Sequence, residues 1–247
     1  MTTVLVTGGA GYIGSHCVID LIEAGYTVVV VDSLINAFMA ENASKPECLL
    51  RVEKITGKSI DFFKTDIRDI EGMDKIFEKY DFSAVLHFAA LKSVTESIKE
   101  PVKYYDCNVG GSSALIQVMS KHNVKRLIFS SSATVYGPPQ YLPVDEEHIV
   151  GQGITNPYGK TKYFMEEIFR DVCTANDDWT VVLLRYFNPV GSHKSGSIGE
   201  DPQGPPANLM PYRRFKILSK NRKYLCCIDE LFSTKLFFSN ILFMSLE

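Results

Sequence analysis

The sequence predicts an α/β fold built on a doubly wound parallel sheet, and three observations carry that expectation. Short apolar runs of strand length alternate with amphipathic stretches of helical length along most of the chain, the pattern of a sheet covered by helices on both faces. The first of these runs passes directly into "TGGAGYIGSH", where Gly8, Gly11 and Gly14 stand three residues apart. The 247 residues, 45% hydrophobic and 22% charged, suffice for one large domain, or one domain and part of a second.

The strand-like runs are 3–7 (TVLVT), 27–31 (TVVVV), 60–64, 83–88 (SAVLHF), 125–130 (KRLIFS) and 180–186 (TVVLLRY). Helical candidates lie between them near 12–24, 69–80, 101–121 and 157–176, and the crossovers are expected to be right-handed. Gly25 follows the last apolar turn of the first helix, a position that favours glycine in the left-handed region. Pro101 opens the third helical pattern, where a missing N–H costs nothing. Pro138, Pro139 and Pro143 mark a loop after the fifth strand, and residues 191–211, rich in Gly, Pro, Ser and Asp, read as a loop or hinge beyond a completed sheet. No internal repeat is visible.

Composition excludes several classes. A net charge of −3 argues against a nucleic-acid binder held by phosphate contacts. No positive segment precedes a long apolar run at the start, so a secretory signal is not expected. The six cysteines, Cys17, Cys48, Cys107, Cys173, Cys226 and Cys227, form no Cys-x-x-Cys pair. They read as small apolar residues of a cytoplasmic, reducing compartment, with no metal expected.

A strand that ends in glycines and turns into a helix presents the first N–H groups of that helix, and its dipole, to an anion. Gly8 permits the turn, Gly11 lets backbone approach a pyrophosphate, and Gly14 is expected to let the helix pack on the strand. Asp32 stands at the end of the second strand, eighteen residues after Gly14. A carboxylate there accepts hydrogen bonds from a ribose and repels a 2′-phosphate, which points to NAD over NADP; the blander alternative is an aspartate that merely opens a turn. Asp66, after the third strand, is placed to face an adenine edge.

"NPYGKTK" sets Tyr158 and Lys162 four residues apart, on one helix face. An ammonium beside a phenol favours the phenolate, making Tyr158 a candidate base. Ser132 ends the hydroxyl-rich strand "FSSSATVYG" and is placed to orient a substrate hydroxyl or relay a proton. Surface helices also carry Tyr-x-x-x-Lys by chance; beside a dinucleotide turn and a serine-rich strand end, the catalytic reading is preferred. His87 and Trp179 read as structural.

With "HFAALKSV", "LLRYFNPVG" and "GEDPQG…NLMPY" added to these segments, residues 3–212 resemble the extended short-chain dehydrogenase/reductase superfamily, and within it the UDP-glucose 4-epimerase family. The resemblance implies a Rossmann-like NAD domain at 1–190 and reversible oxidation of UDP-galactose or UDP-glucose at carbon 4 through a 4-keto intermediate, as in galactose metabolism. It assigns Gly8, Gly11, Tyr12, Ile13 and Gly14 to the pyrophosphate, Asp32 and Asn36 to the ribose, and Asp66 and Ile67 to the adenine. Phe88, Lys92 and Asn108 become further cofactor neighbours. Ser132, Ala133 and Thr134 become the sugar-side strand end, Tyr158 the base and Lys162 a ribose-holding lysine. Tyr186, Phe187 and Asn188 become the nicotinamide and substrate junction, and Asn208 with Leu209 the approach to the nucleotide sugar. A related 4,6-dehydratase needs an Asp–Glu pair where Ala133 and Thr134 stand, which disfavours dehydration.

The resemblance stops after Tyr212, leaving 191–212 as the start of an incomplete C-terminal substrate domain. Three readings of 213–247 remain open: a divergent, disordered tail with no selected fold; a helix packed on the open sheet edge; or a membrane anchor. Asp229, Glu230 and Lys235 interrupt the last, and the apolar run from Leu236 is too short for a bilayer. NAD binding with weak turnover is expected. The alternative is a catalytically weak NAD-binding fragment that pairs with an intact epimerase. Family dimers imply a homodimer through helices 101–121 and 157–176.

Overall fold

The computed structural model describes residues 2–203 and the backbone of 241–246. Seven strands form one sheet: β1 (Thr3–Thr7), β2 (Thr27–Asp32), β3 (Asp61–Lys64), β4 (Phe82–His87), β5 (Arg126–Ser132), β6 (Thr180–Tyr186) and β7 (Ile241–Leu246). Their order is β3-β2-β1-β4-β5-β6-β7. The first six strands are parallel, and β7 adds an antiparallel edge, running from Tyr186↔Ile241 to Val181↔Leu246. The expected parallel sheet therefore gains an antiparallel edge, and the part of the tail that is described is a strand, not the helix one reading placed there.

The chain builds outward from β1 to β2 and β3, then crosses to β4 and builds the other way. The C-terminal ends of β1 and β4 therefore flank the point where strand order reverses, the crevice where open α/β sheets take ligands.

Seven α-helices accompany the strands among the described residues: α1 (Tyr12–Glu23), α2 (Glu47–Thr56), α3 (Ile70–Lys79), α4 (Val94–Lys99), α5 (Pro101–Tyr104), α6 (Gly111–Lys121) and α7 (Pro157–Ala175). Strand alternation sorts the core into two layers. Leu5, Val29, Val85, Leu127, Phe129, Val181 and Leu183 meet Met73 and Phe77 of α3, Leu115 and Met119 of α6, and Met165 and Phe169 of α7. On the opposite face Val4, Val6, Val28, Val30 and Leu86 meet Val18 and Ile19 of α1 and Leu49 and Val52 of α2. Trp179 is buried in the first layer, as a packing residue.

Helix ends follow local chemistry. Gly25 takes φ +90° after α1. Asp69, Ser93 and Asn156 cap α3, α4 and α7 by accepting from Gly72, Glu96 and Gly159 N–H groups at 3.0, 3.2 and 2.8 Å. The pattern expected as a single helix over 101–121 is α5 and α6 joined by a π-helical segment, Tyr105–Gly110. Such a bulge shifts the side-chain register without ending the helix, so periodicity alone does not reveal it. Helices α2 and α4 were not expected. Each is short, and α2 buries only Leu49 and Val52, too little pattern to mark a face.

The described part of the segment expected as a loop or hinge over 191–211, residues 191–203, folds back onto α1 and α2. Gly191 accepts from the Tyr12 hydroxyl at 2.8 Å, Ser197 O accepts from Arg51 at 3.1 Å, and Ile198 is buried with the α1–α2 core.

Two glycines give opposite expectations. A Cβ on Gly14 would sit 2.2 Å from the Gly8 carbonyl oxygen and 2.7 Å from Gly9 Cα, backbone atoms that cannot step aside, so Gly14→Ala lowers the unfolding free energy by about 1–3 kcal/mol. A Cβ on Gly110 would meet Asp106 Oδ1 at an ordinary 3.7 Å, so Gly110→Ala raises it by about 0.5–1 kcal/mol through helix propensity. Urea unfolding of the two variants beside the parent checks both signs.

Candidate active site

The glycine turn links three strand ends. Gly8 takes φ +70°, and a Cβ there would lie 2.6 Å from Ala89 N, just after β4. The close contact with the strands is made by Gly9, whose Cβ would lie 2.7 Å from Val30 Cγ1. Gly14, as expected, lets α1 pack directly over the end of β1, since a Cβ there would meet the backbone of Gly8 and Gly9. A Cβ on Gly11 would meet only Gly8 O, at 3.2 Å, so the space above Gly11 is open. Gly11 caps α1 with backbone alone, and no acidic residue stands in the first turn. Tyr12 and Ile13 begin that turn. This cradle of bare backbone and a helix N-terminus suits a pyrophosphate.

Asp32 closes the turn from β2. Its Oδ2 accepts from Ala10 N at 3.0 Å and its Oδ1 from Leu34 N at 2.8 Å. Burial raises the carboxyl's pKa, while these two backbone donors favour its ionised form. Asn36 Oδ1 accepts from Gln203 N at 3.2 Å, and Lys92 pairs with Glu200 at 3.1 Å. Both residues therefore touch the folded-back segment.

The loop residues beyond β3 and β4 are more engaged than their sequence suggested. Both carboxylate oxygens of Asp66 accept from Arg68, at 3.0 and 2.7 Å, and this guanidinium holds the Asp66 carboxyl below its ordinary range. Ile67 is buried against Gly111, where a Cβ would approach to 2.7 Å. Phe88 leaves β4 with its N–H donated to Thr7 O at 3.0 Å. Asn108, in the π-helical segment, spends its side chain on protein: Oδ1 accepts from Leu91 N at 2.8 Å, and Nδ2 donates to Leu91 O and to Thr161 Oγ1, each at 3.0 Å. Asn108 thus ties the loop after β4 to α7.

His87 is structural, as expected. Burial lowers its pKa to about 3. Ser112 Oγ donates to Asn108 O, so it accepts from His87 Nε2–H at 2.8 Å, and Nδ1 accepts from the Thr7 hydroxyl at 2.7 Å.

The catalytic candidates converge where α7 crosses the ends of β5 and β6. Ser132 is paired in register with Tyr186. Ala133 and Thr134 open the 3₁₀ turn Ala133–Tyr136, and Thr134 donates to Ser132 Oγ from N at 3.2 Å and from Oγ1 at 3.0 Å. With those acceptor positions filled, the Ser132 proton is left for the Tyr158 oxygen. Burial pushes the Tyr158 phenol up, and the hydrogen bond from Ser132 pulls it down. Gly159 allows the close approach, since a Cβ there would lie 3.1 Å from Thr134 Cβ.

Lys162 differs from expectation. Its Nζ donates to Ser130 O at 2.5 Å and lies 4.7 Å from the Phe129 ring centroid and 6.0 Å from that of Tyr158. Burial pulls its pKa down to about 7. Its Nζ is held by a backbone carbonyl beside the Tyr158 ring, while the hydrogen bond from Ser132 favours the ionised phenol. Phe187, the residue after β6, brings its ring to 6.2 Å from that of Tyr136, and Asn188 follows it. Asn208 and Leu209 lie outside the described residues.

Sequence reasoning missed a buried ion pair beside this site. Arg185 and Glu166, 1% and 0% exposed, are joined by two bonds of 3.0 and 2.7 Å. Removing one partner of such a pair strands a buried charge, at a cost of about 3–5 kcal/mol. Two signals were available: a lone arginine within the apolar run "TVVLLRY", and the four-residue spacing that continues from Tyr158 and Lys162 to Glu166.

Comparison with known proteins agrees with this geometry. Residues 4–227 match the sequence profile of the NAD dependent epimerase/dehydratase family. The chain is 58% identical over 209 residues to UDP-glucose 4-epimerase of Homo sapiens, covering 85% of this chain and 60% of that protein. It is likewise 58% identical over 212 residues to the enzyme of Mus musculus, covering 86% and 60%. The crystal structure of UDP-glucose 4-epimerase from Bifidobacterium longum, in complex with NAD+ and UDP, superposes with a TM-score of 0.80 at 53% identity, covering 85% of this chain and 61% of that one. The chain spans about 60% of the length of the relatives it matches.

The depressed Lys162 pKa has a stability consequence. Folding favours the neutral amine, so between about pH 7 and the ordinary lysine value of 10.5 the unfolded chain binds more protons. Stability due to this group therefore rises with pH across that window, by at most about 1.4 kcal/mol per pH unit. In urea unfolding from pH 7 to 9, the stability of the parent should climb relative to Lys162→Met, and a constant difference would contradict the burial argument.

Proposed function

The chain belongs to the NAD dependent epimerase/dehydratase family, and on that premise we propose that it holds NAD and interconverts UDP-galactose and UDP-glucose at carbon 4 through a 4-keto intermediate. The observation that carries this is the convergence of Tyr158, Lys162 and Ser132 at the ends of β5 and α7, across the switch-point crevice from an open glycine cradle. When bound, NAD supplies the hydride acceptor and donor. Gly8, Gly11, Tyr12, Ile13 and Gly14 would hold its pyrophosphate, with Asp32 and Asn36 toward one ribose and Asp66 and Ile67 toward the adenine. Phe88, Lys92 and Tyr186 would be further neighbours of the cofactor, with Asn108 supporting the loop after β4 from behind, and Lys162 would meet the second ribose.

The chain's own work is proton transfer. Tyr158, as phenolate, takes the proton of the sugar 4-hydroxyl, directly or through Ser132, and returns it to the same oxygen after the sugar has turned. Ser132 favours the ionised phenol and so supports the base. Thr134 and Ala133 carry no ionisable group, so nothing at that strand end can supply the acid–base pair that dehydration needs. Phe187 and Asn188, with Asn208 and Leu209 beyond the described residues, would approach the nucleotide sugar. Holding the substrate by its remote diphosphate leaves the sugar free to rotate.

A second reading, favoured by the 60% coverage of the relatives, is a catalytically weak NAD-binding chain that pairs with an intact epimerase. The helices for such pairing, and α4 beside them, expose large apolar side chains. Val102, Ile98 and Phe164 are 77%, 61% and 42% exposed, and Tyr105 and Phe164 place their rings 6.1 Å apart. We place the chain in the cytoplasm; the free thiols of Cys17, Cys48, Cys107 and Cys173 support a reducing compartment. No helix among the described residues is long and apolar enough to cross a membrane.

Calorimetric titration with NAD, followed by chromatography of UDP-galactose incubated with the loaded protein, tests the activity. Tyr158→Phe should leave NAD affinity unchanged and reduce conversion by about 10²–10⁴-fold; equal conversion by both proteins would remove Tyr158 from the chemistry. Conversion that appears only when an intact epimerase subunit is added would select the second reading. Sedimentation equilibrium should show a dimer for the parent and a monomer for the double variant Val102→Glu/Phe164→Glu. A monomeric parent would refute pairing through these helices.

A further inference from the structure

Tyr158, Lys162 and Glu166 follow one another at four-residue intervals on α7 and so share one stripe of the helix. The first two belong to the proposed site. The third is wholly buried and carries more bonds than any packing role requires. Glu166 Oε1 accepts from the hydroxyl of Ser131 and from Arg185 Nε at 3.0 Å, and Oε2 accepts from Arg185 at 2.7 Å with Arg170 at 3.6 Å. Arg185 also donates to the Tyr136 hydroxyl at 3.1 Å and to Glu146 O at 3.5 Å, and its guanidinium lies 4.9 Å from the Tyr136 ring centroid.

The partners are distributed in a telling way. Ser131 and Arg185 are register partners on β5 and β6, one residue before the pair Ser132↔Tyr186. Tyr136 closes the 3₁₀ turn that begins with Ala133 and Thr134. Among the described residues, the β5 end, the 3₁₀ turn and the β6 end that carry Ser132, Ala133 and Thr134, and Phe187 and Asn188 are therefore each tied, one to three residues away, to this carboxylate–guanidinium pair, whose carboxylate sits two helical turns past Tyr158. Lys162 to Ser130 O and Asn108 to Thr161 complete the docking of α7.

The geometry points to Glu166 and Arg185 as positioning residues. Their buried pair holds α7 in register with the ends of β5 and β6, so that the Tyr158 oxygen stays within reach of Ser132. This deepens the proposed function and rests on it for the identity of the reacting groups. A planar guanidinium gripped at two points by a carboxylate restricts rotation and sliding in a way apolar packing does not, and replacing such a pair with apolar residues of similar volume is often tolerated by the fold.

The test is the double variant Glu166→Met/Arg185→Met, with 3-fluorotyrosine incorporated at position 158 in variant and parent. Circular dichroism and urea unfolding establish that the variant folds. The parent should give one narrow fluorine resonance and the folded variant a split or broadened one. Hydride transfer from UDP-galactose to bound NAD, followed by nicotinamide absorbance, should fall about a hundredfold, the cost of misplacing a reacting group by roughly an ångström, with NAD affinity unchanged. Glu166→Gln/Arg185→Gln, which strands no charge and keeps part of the bonding, should lie between the two, and it serves in the first double variant's place if that protein does not fold. A folded variant with the parent's resonance and the parent's transfer rate overturns the proposal. If the parent transfers no hydride, the proposed function fails and the fluorine measurement alone decides the positioning role.

Discussion

The contact between Gly14 and the carbonyl of Gly8 sets the geometry of the N-terminal half. Helix α1 can start directly above the end of β1 only because no side chain stands between them. That start aims the helix N-terminus into the crevice between β1 and β4. The same turn lies against Val30 of β2 through Gly9 and against Ala89 after β4 through Gly8, so three strand ends are held to one piece of backbone. Asp32 reaches this piece through Ala10 N. A wider turn would move the carboxylate, the helix dipole and the open space above Gly11 apart.

The other half of the crevice is organised by desolvation. Along one stripe of helix α7, Lys162 and Glu166 are buried and Tyr158 partly so, where ionised groups are expensive unless bonded. Each has a different solution. Lys162 is given a backbone carbonyl and loses much of its basicity. Glu166 is gripped at two points by Arg185. Tyr158 resists ionisation except for the hydroxyl of Ser132. These environments separate the basicities of neighbouring groups, which is what acid–base chemistry at neutral pH requires.

The two halves are joined by polar loops. Asn108 links the loop after β4 to Thr161 of α7. The segment 191–203 crosses back from β6 to Tyr12, Asn36 and Lys92. Burial of Ile198 in the α1–α2 core anchors this segment by hydrophobic contact as well as by charge.

The strands, the glycine turn, Asp32 at the end of β2, and the Tyr158–Lys162 spacing were all legible in the sequence. Each is a local pattern: alternating burial, a missing side chain, or a fixed offset on a helix. Short helices such as α2, and the π-helical segment inside the 101–121 pattern, were not, because they bury few residues or leave the apolar period intact. What only the tertiary structure decided is which polar groups meet. The bond from Lys162 to Ser130, the closure of Arg68 on Asp66, the engagement of Asn108 and the Glu166–Arg185 pair all join residues from different elements. Their energies depend on burial and on geometry to a fraction of a bond length, and neither is encoded in spacing along the chain.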